Sequence, residues 1–234
     1  MRSERLAAAS GAIYVLAIVI GNGLYEAGKT GADDGPGVLA DLQRTTSPLQ
    51  TIGLTLEILG FTAFLVFLGA LYRTLRRAEH ADGWLAATAF GAGLVTVAVK
   101  LGSIGPLMGA NLRADELTPD LARSLNDLGA ANFMISGYTS GIFVAAAATA
   151  TLVTRVLPRW LSITGIVVGV LTIATGTAGM VDPAGYVPVP FLLGLLWTLV
   201  TSVFLAVRGP AADDDGAPRS RAAGSVPAGA ARTA

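Results

Sequence analysis

Apolar residues fall into long uninterrupted runs, each about as long as a helix needs to cross the ~30 Å of hydrocarbon in a bilayer. Six are present: Leu6–Tyr25, Thr51–Tyr72, Trp84–Met108, Ala130–Thr154, Trp160–Val181 and Val189–Val207. Each predicts an α-helix, because lipid offers no partner to backbone N–H and C=O groups and a spanning segment must bond within itself. Arg2 and Arg5 precede the first run as they would a secretory leader, but no small-x-small cleavage site follows, so it reads as a retained span.

The polar connections carry helix signals of their own. From Glu26 to Gln50 the chain opens with a Gly- and Asp-rich turn region, then predicts a short helix over Val38–Arg44 that Ser47-Pro48 ends. Before the fourth run, Thr118 suits an N-cap, Pro119 suits the first helical position, and Leu121, Leu125 and Leu128 recur at helical spacing. That pattern predicts an interfacial helix resting on the bundle. Beyond Val207 the chain turns Gly-, Pro-, Ala-, Ser- and Arg-rich around the acidic run Asp213–Asp215 and predicts a disordered tail. The expected fold is all-α: a six-span transmembrane helix bundle over residues 1–207, followed by a cytoplasmic tail over 208–234. Three spans enter from each side, so a three-plus-three inverted repeat is topologically available, although the halves share no convincing similarity.

Charge orients the bundle. Arg2, Arg5, Arg73, Arg76, Arg77, Arg155, Arg159 and Arg208 all fall on one side. The other side holds Lys29, Arg44, Arg113 and Arg123 diluted by nine acidic residues, among them Glu26, Asp41, Glu116 and Asp182. Positive charge is retained on the cytoplasmic side, so both termini are expected there, in a bacterial plasma membrane. Composition agrees with a lipid solvent: 53% hydrophobic residues, 14% charged, and a mean hydropathy of +0.62. With no cysteine and His80 as the sole histidine, the sequence has no thiolate or paired-His metal site and no haem ligand pair, and no cofactor is expected. Net charge is zero, and nothing points to nucleic acid; the bilayer is an expected partner, and a protein partner, a small-molecule substrate and the oligomeric state are left open by the sequence.

Two stripes of small residues predict close helix packing. Gly165, Gly169, Thr172, Gly176 and Gly179 line one face of the fifth span, and Gly137 and Gly141 repeat the spacing in the fourth. Packing within the chain explains them better than a dedicated dimer surface.

Two ionisable residues lie inside apolar runs. Glu57 is six residues inward from Thr51 and Lys100 eight residues before Met108, which places them roughly 9 and 12 Å below the outer surface at ~1.5 Å rise per residue. Matched depth on sequential antiparallel helices lets an acid and a base pair. Asn22, Asn132 and Ser136 lie at a similar level and Tyr138 a little deeper, so that with Glu57 and Lys100 they form a candidate polar pocket in the outer half. The leading expectation is that Glu57 and Lys100 are a buried pair that sets helix register. The alternatives are a small-solute or proton-coupled permease, with Glu57 as the carrier, and a non-catalytic subunit that binds a partner. A catalytic triad, paired carboxylates and a phosphate loop are all missing, so an enzyme is the least supported reading.

Three short motifs carry a resemblance. Arg5-Leu6-Ala7 opens the first span, Leu56-Glu57-Ile58-Leu59-Gly60 runs on to Ala70-Leu71-Tyr72-Arg73, and Leu157-Pro158-Arg159-Trp160-Leu161 leads into the fifth span. In these the chain resembles the small bacterial, often actinobacterial, membrane proteins of domain-of-unknown-function family 4386. The resemblance covers nearly all of the chain apart from the tail. It implies a membrane location without an established activity, and it makes Glu57 the family's intramembrane acid.

Overall fold

The computed structural model describes residues 2–44, 48–79, 83–182 and 185–208. Among them seven α-helices follow one another: α1 (Arg2–Glu26), α2 (Gly35–Arg44), α3 (Pro48–Ala78), α4 (Trp84–Leu112), α5 (Pro119–Thr154), α6 (Arg159–Val181) and α7 (Val189–Arg208). All but α2 are long and apolar enough to cross a membrane, and no strand occurs among the described residues. The chain is therefore an all-α, multi-pass membrane protein. Ser47, His80, Pro183 and the tail with Asp213–Asp215 lie outside the described residues.

The helices outrun the apolar segments that announce them. Thr118 caps α5 as expected, its hydroxyl accepting from the Leu121 N–H at 3.4 Å, and Pro119 follows in the first turn. The interfacial helix predicted there is not separate, however: α5 continues for 36 residues straight into the span. Gly129 is the only weak point between the two segments, and a lone glycine costs a helix only about 1 kcal/mol. Its packing face meets the expectation in part: Leu125 packs inward beside the buried Ala122, while Leu121 and Leu128 stay exposed. The partner of that face is α2, whose Val38 and Leu42 pack with Ala110, Ala114 and Ala122. The turn before α2 is tied down by Asp41, which accepts from the Thr30 N–H and hydroxyl at 2.9 Å each.

Within the bundle α5 is the hub, running along α4 and α6 and touching α3 and α7, while α1 lies along α3 and also meets α7. The core is aromatic and aliphatic. Phe64, Phe67, Leu68 and Leu71 of α3 pack with Tyr14 of α1 and Phe143 of α5; Tyr14 stacks on Phe64 at 4.4 Å, and Phe143 meets Phe64 edge-on at 5.3 Å. Lipid cannot drive helices together hydrophobically, so close backbone approach and interhelical hydrogen bonds have to do so. At the α1–α3 crossing, a Cβ on Gly53 would lie 2.6 Å from the Gly21 carbonyl oxygen. The stripe on α6 is used in the same way, within the chain: a Cβ on Gly169 would sit 2.6 Å from the Ala145 nitrogen, and Gly165 lies under Trp197 and Ala148.

Polar side chains join the same seams. Thr96 donates to Thr139 at 2.9 Å between α4 and α5, Thr151 and Ser162 share a bond of 2.9 Å between α5 and α6, and the Trp197 indole donates to the Leu161 carbonyl at 2.9 Å. Ser202 accepts from the Ala12 N–H and donates to the Ala8 carbonyl, binding α7 to α1. The surface left over is apolar, with Leu16, Val19, Leu59, Val170 and Leu196 exposed as lipid contact requires.

Candidate functional site

The first two turns of α1 and the last turns of α3, α5 and α7 line one cavity, so these four termini share one end of the bundle. The opposite end carries the longer connections and α2; it is the loop end below. The intramembrane charges lie toward the loop end, and the α1–α3 glycine crossing decides where Glu57 sits. Gly21 is so close to α3 that a Cβ there would reach 2.9 Å from the Glu57 Cγ, so the acid rests on the α1 backbone beside Asn22. The Asn22 side chain is within reach of the carboxylate, and Glu26 at the end of α1 and Lys29 just beyond it act on it electrostatically.

Lys100 faces elsewhere. Its ammonium lies 3.5 Å from the centroid of the Phe133 ring on α5 and 5.2 Å from that of Phe191 on α7. It feels the charge of Glu57, and Glu57 feels it, but no contact ion pair joins them. The expected buried pair is thus two separated charges, the acid held by α1 and the base by an aromatic face. The reason is geometric: α3 and α4 touch over a much shorter stretch than α1 and α3 or α4 and α5. Phe133 and Phe191 stand in for the carboxylate, the negative face of each ring stabilising the cation.

Tyr186 completes the aromatic group. Its ring meets Phe133 edge-on at 5.6 Å and covers Gly179. Its hydroxyl is buried without a hydrogen-bond partner among the described residues, and burial pushes the phenol up to about 12.

The other residues predicted for a pocket do not join this group through their side chains. Ser136 is fully buried and spends its hydroxyl on the Phe133 carbonyl one turn back, at 2.6 Å. Asn132 is half-buried, with no side-chain hydrogen bond among the described residues. Tyr138 is exposed, and its backbone, not its ring, is what packs on Gly176 of α6.

The large cavity lies at the terminal end. It has a volume of about 1020 Å³ and is lined there by Arg73, Arg77, Arg155, Arg208 and Glu4. Glu4 bridges Arg73 and Arg77 at 3.4 and 3.5 Å through one carboxylate oxygen.

Residues 9–209 match the profile of DUF4386, a domain of unknown function. The chain belongs to this family. Comparison with curated proteins and with solved structures found no match. The DUF4386 match takes in all six membrane helices apart from the first turns of α1, and with them Asn22, Glu57, Lys100 and the cavity arginines. In this DUF4386 protein the aromatic partners of Lys100 had no signal in the sequence, because Phe133, Tyr186 and Phe191 look like ordinary span and interface aromatics until α5 and α7 are brought together.

Proposed function

We propose that this DUF4386 protein is a small-solute permease of the bacterial plasma membrane, with both termini in the cytoplasm and its solute site at Asn22, Glu57 and Lys100 in the outer half of the bundle. The observation that carries this reading is the separation of the two charges. An acid and a base kept inside the membrane are expensive, and contact between them would explain their retention as a folding device. Held apart on α1 and on an aromatic face, they leave the acid and the base each with capacity to receive a solute group. A solute suited to them is small and offers a donor or a positive group to Glu57 and an acceptor to Lys100. The orientation rests on the arginines gathered at the terminal end.

The test uses the full chain in liposomes loaded with a pH-sensitive dye and presented with radiolabelled neutral amino acids, amides and polyols. Uptake of at least one class above protein-free vesicles is expected, lost in Glu57→Gln and reduced in Lys100→Met; acidification of the lumen alongside uptake assigns Glu57 the coupling proton. Uptake equal to that of protein-free vesicles throughout the panel, or undiminished in Glu57→Gln, overturns the reading.

A further inference from the structure

The arginines at the terminal end do more than mark a side. Arg73 and Arg77 from α3, Arg155 after α5 and Arg208 at the end of α7 line one cavity with Glu4 as the acid among them. Glu4 offers Arg73 and Arg77 a single oxygen, at distances too long for a good charge-assisted bond, so most donors of the two guanidinium forks are left over. Arg155 has no acidic partner among the described residues, and it takes the left-handed conformation (φ 57°) that a helix end usually gives to glycine. Arg208 rests on the Phe204 ring at 3.9 Å.

Below this rim the wall is apolar and small. Ala7 and Ala8 of α1, Gly69 and Ala70 of α3 and Leu205 of α7 line it, and Val66, exposed toward the lipid, ends it. Val66, Gly69, Ala70, Arg73 and Arg77 share one face of α3, so below Arg73 at the charged rim the cavity descends roughly 10 Å to Val66. At about 1020 Å³ it is at the upper end of small-molecule sites, which are roughly 300–1,000 Å³. A soluble phosphate compound would want polar groups at the floor as well as the rim. Cations above and hydrocarbon below match an anionic amphiphile.

We propose that this cavity binds the phosphate headgroup of an anionic glycerophospholipid, with Arg73 and Arg77 holding the phosphate and the apolar wall receiving the upper acyl chains. The site is independent of the Glu57–Lys100 site at the loop end.

The experiment is native mass spectrometry of the detergent-purified full chain titrated with phosphatidylglycerol, with phosphatidylcholine, and with phosphatidylglycerol in the presence of inorganic phosphate. Saturable binding of phosphatidylglycerol over phosphatidylcholine is expected, unaffected by inorganic phosphate. Arg73→Gln/Arg77→Gln should weaken it at least about tenfold, as loss of charge-assisted hydrogen bonds implies. Gly69→Leu should do the same by filling the cavity; no atom lies within 4 Å of a Cβ there, so the α3 backbone accepts a side chain at that position, and an unchanged thermal midpoint confirms that the variant is folded. Arg159→Gln, at the same end but outside the cavity, should bind as wild type. Equal binding of the two lipids, competition by inorganic phosphate, retention in Gly69→Leu, or an equal loss in Arg159→Gln would each overturn the proposal.

Discussion

Replacing Gly53 with alanine tests the crossing on which the loop-end site is built. The new Cβ would lie 2.6 Å from the Gly21 carbonyl oxygen, 2.8 Å from the Tyr25 nitrogen and 3.1 Å from the Leu24 Cβ. The first two are backbone atoms of α1, so no side chain can swing aside, and the helices must part by about 0.8 Å for the 2.6 Å approach to reach the 3.4 Å of ordinary contact. Overpacking of this kind costs about 1–3 kcal/mol. Better helix propensity returns up to about 1 kcal/mol. Gly69→Ala separates the two terms, because its Cβ meets nothing within 4 Å and only the propensity gain remains. The propensity gain is common to both variants, so in detergent the thermal midpoint of Gly53→Ala should lie about 2–12 °C below that of Gly69→Ala, at roughly 2–4 °C per kcal/mol for a chain of this size, while Gly69→Ala should hold or raise the wild-type value. Because Glu57 rests on Gly21, solute uptake should fall with the midpoint in Gly53→Ala and not in Gly69→Ala. Equal midpoints for the two variants would refute the close crossing.

Two further outcomes follow from the packing. In a double-mutant cycle on Glu57→Gln and Lys100→Met, followed by thermal unfolding, the coupling should stay well under the ~3–5 kcal/mol lost when a contacting buried pair is broken, because Lys100 rests on Phe133; coupling of that full size would mean the charges touch. Trp197→Phe keeps one aromatic ring but loses the pyrrole ring and the 2.9 Å bond of its N–H to the Leu161 carbonyl, and should cost at least about 1–2 kcal/mol of resistance to unfolding by SDS; an unchanged unfolding curve would exclude a contribution from that bond.

The sequence alone determined what depends on the solvent and on local bonding. Six runs of apolar residues become six helices because a chain in lipid has no other way to satisfy its backbone, and the ends of the runs set the helices to within a few turns. The cap at Thr118 was legible because it works through neighbours along one helix, and the glycine face of α6 because helical spacing alone puts those small residues on one side. Where a helix continued past its apolar run, as α5 does upstream of Ala130, hydropathy was silent because helix formation itself has no apolar requirement.

Tertiary structure decided what depends on which helices touch. Matched depth put Glu57 and Lys100 at one level, but depth carries no azimuth, and the tight α1–α3 crossing with the thin α3–α4 seam turned the acid toward Asn22 and the base toward Phe133 and Phe191. The arginines were read one by one as markers of a side. Only the meeting of α1, α3, α5 and α7 makes four of them the rim of one cavity, because a cavity belongs to the space between helices and no single helix encodes it.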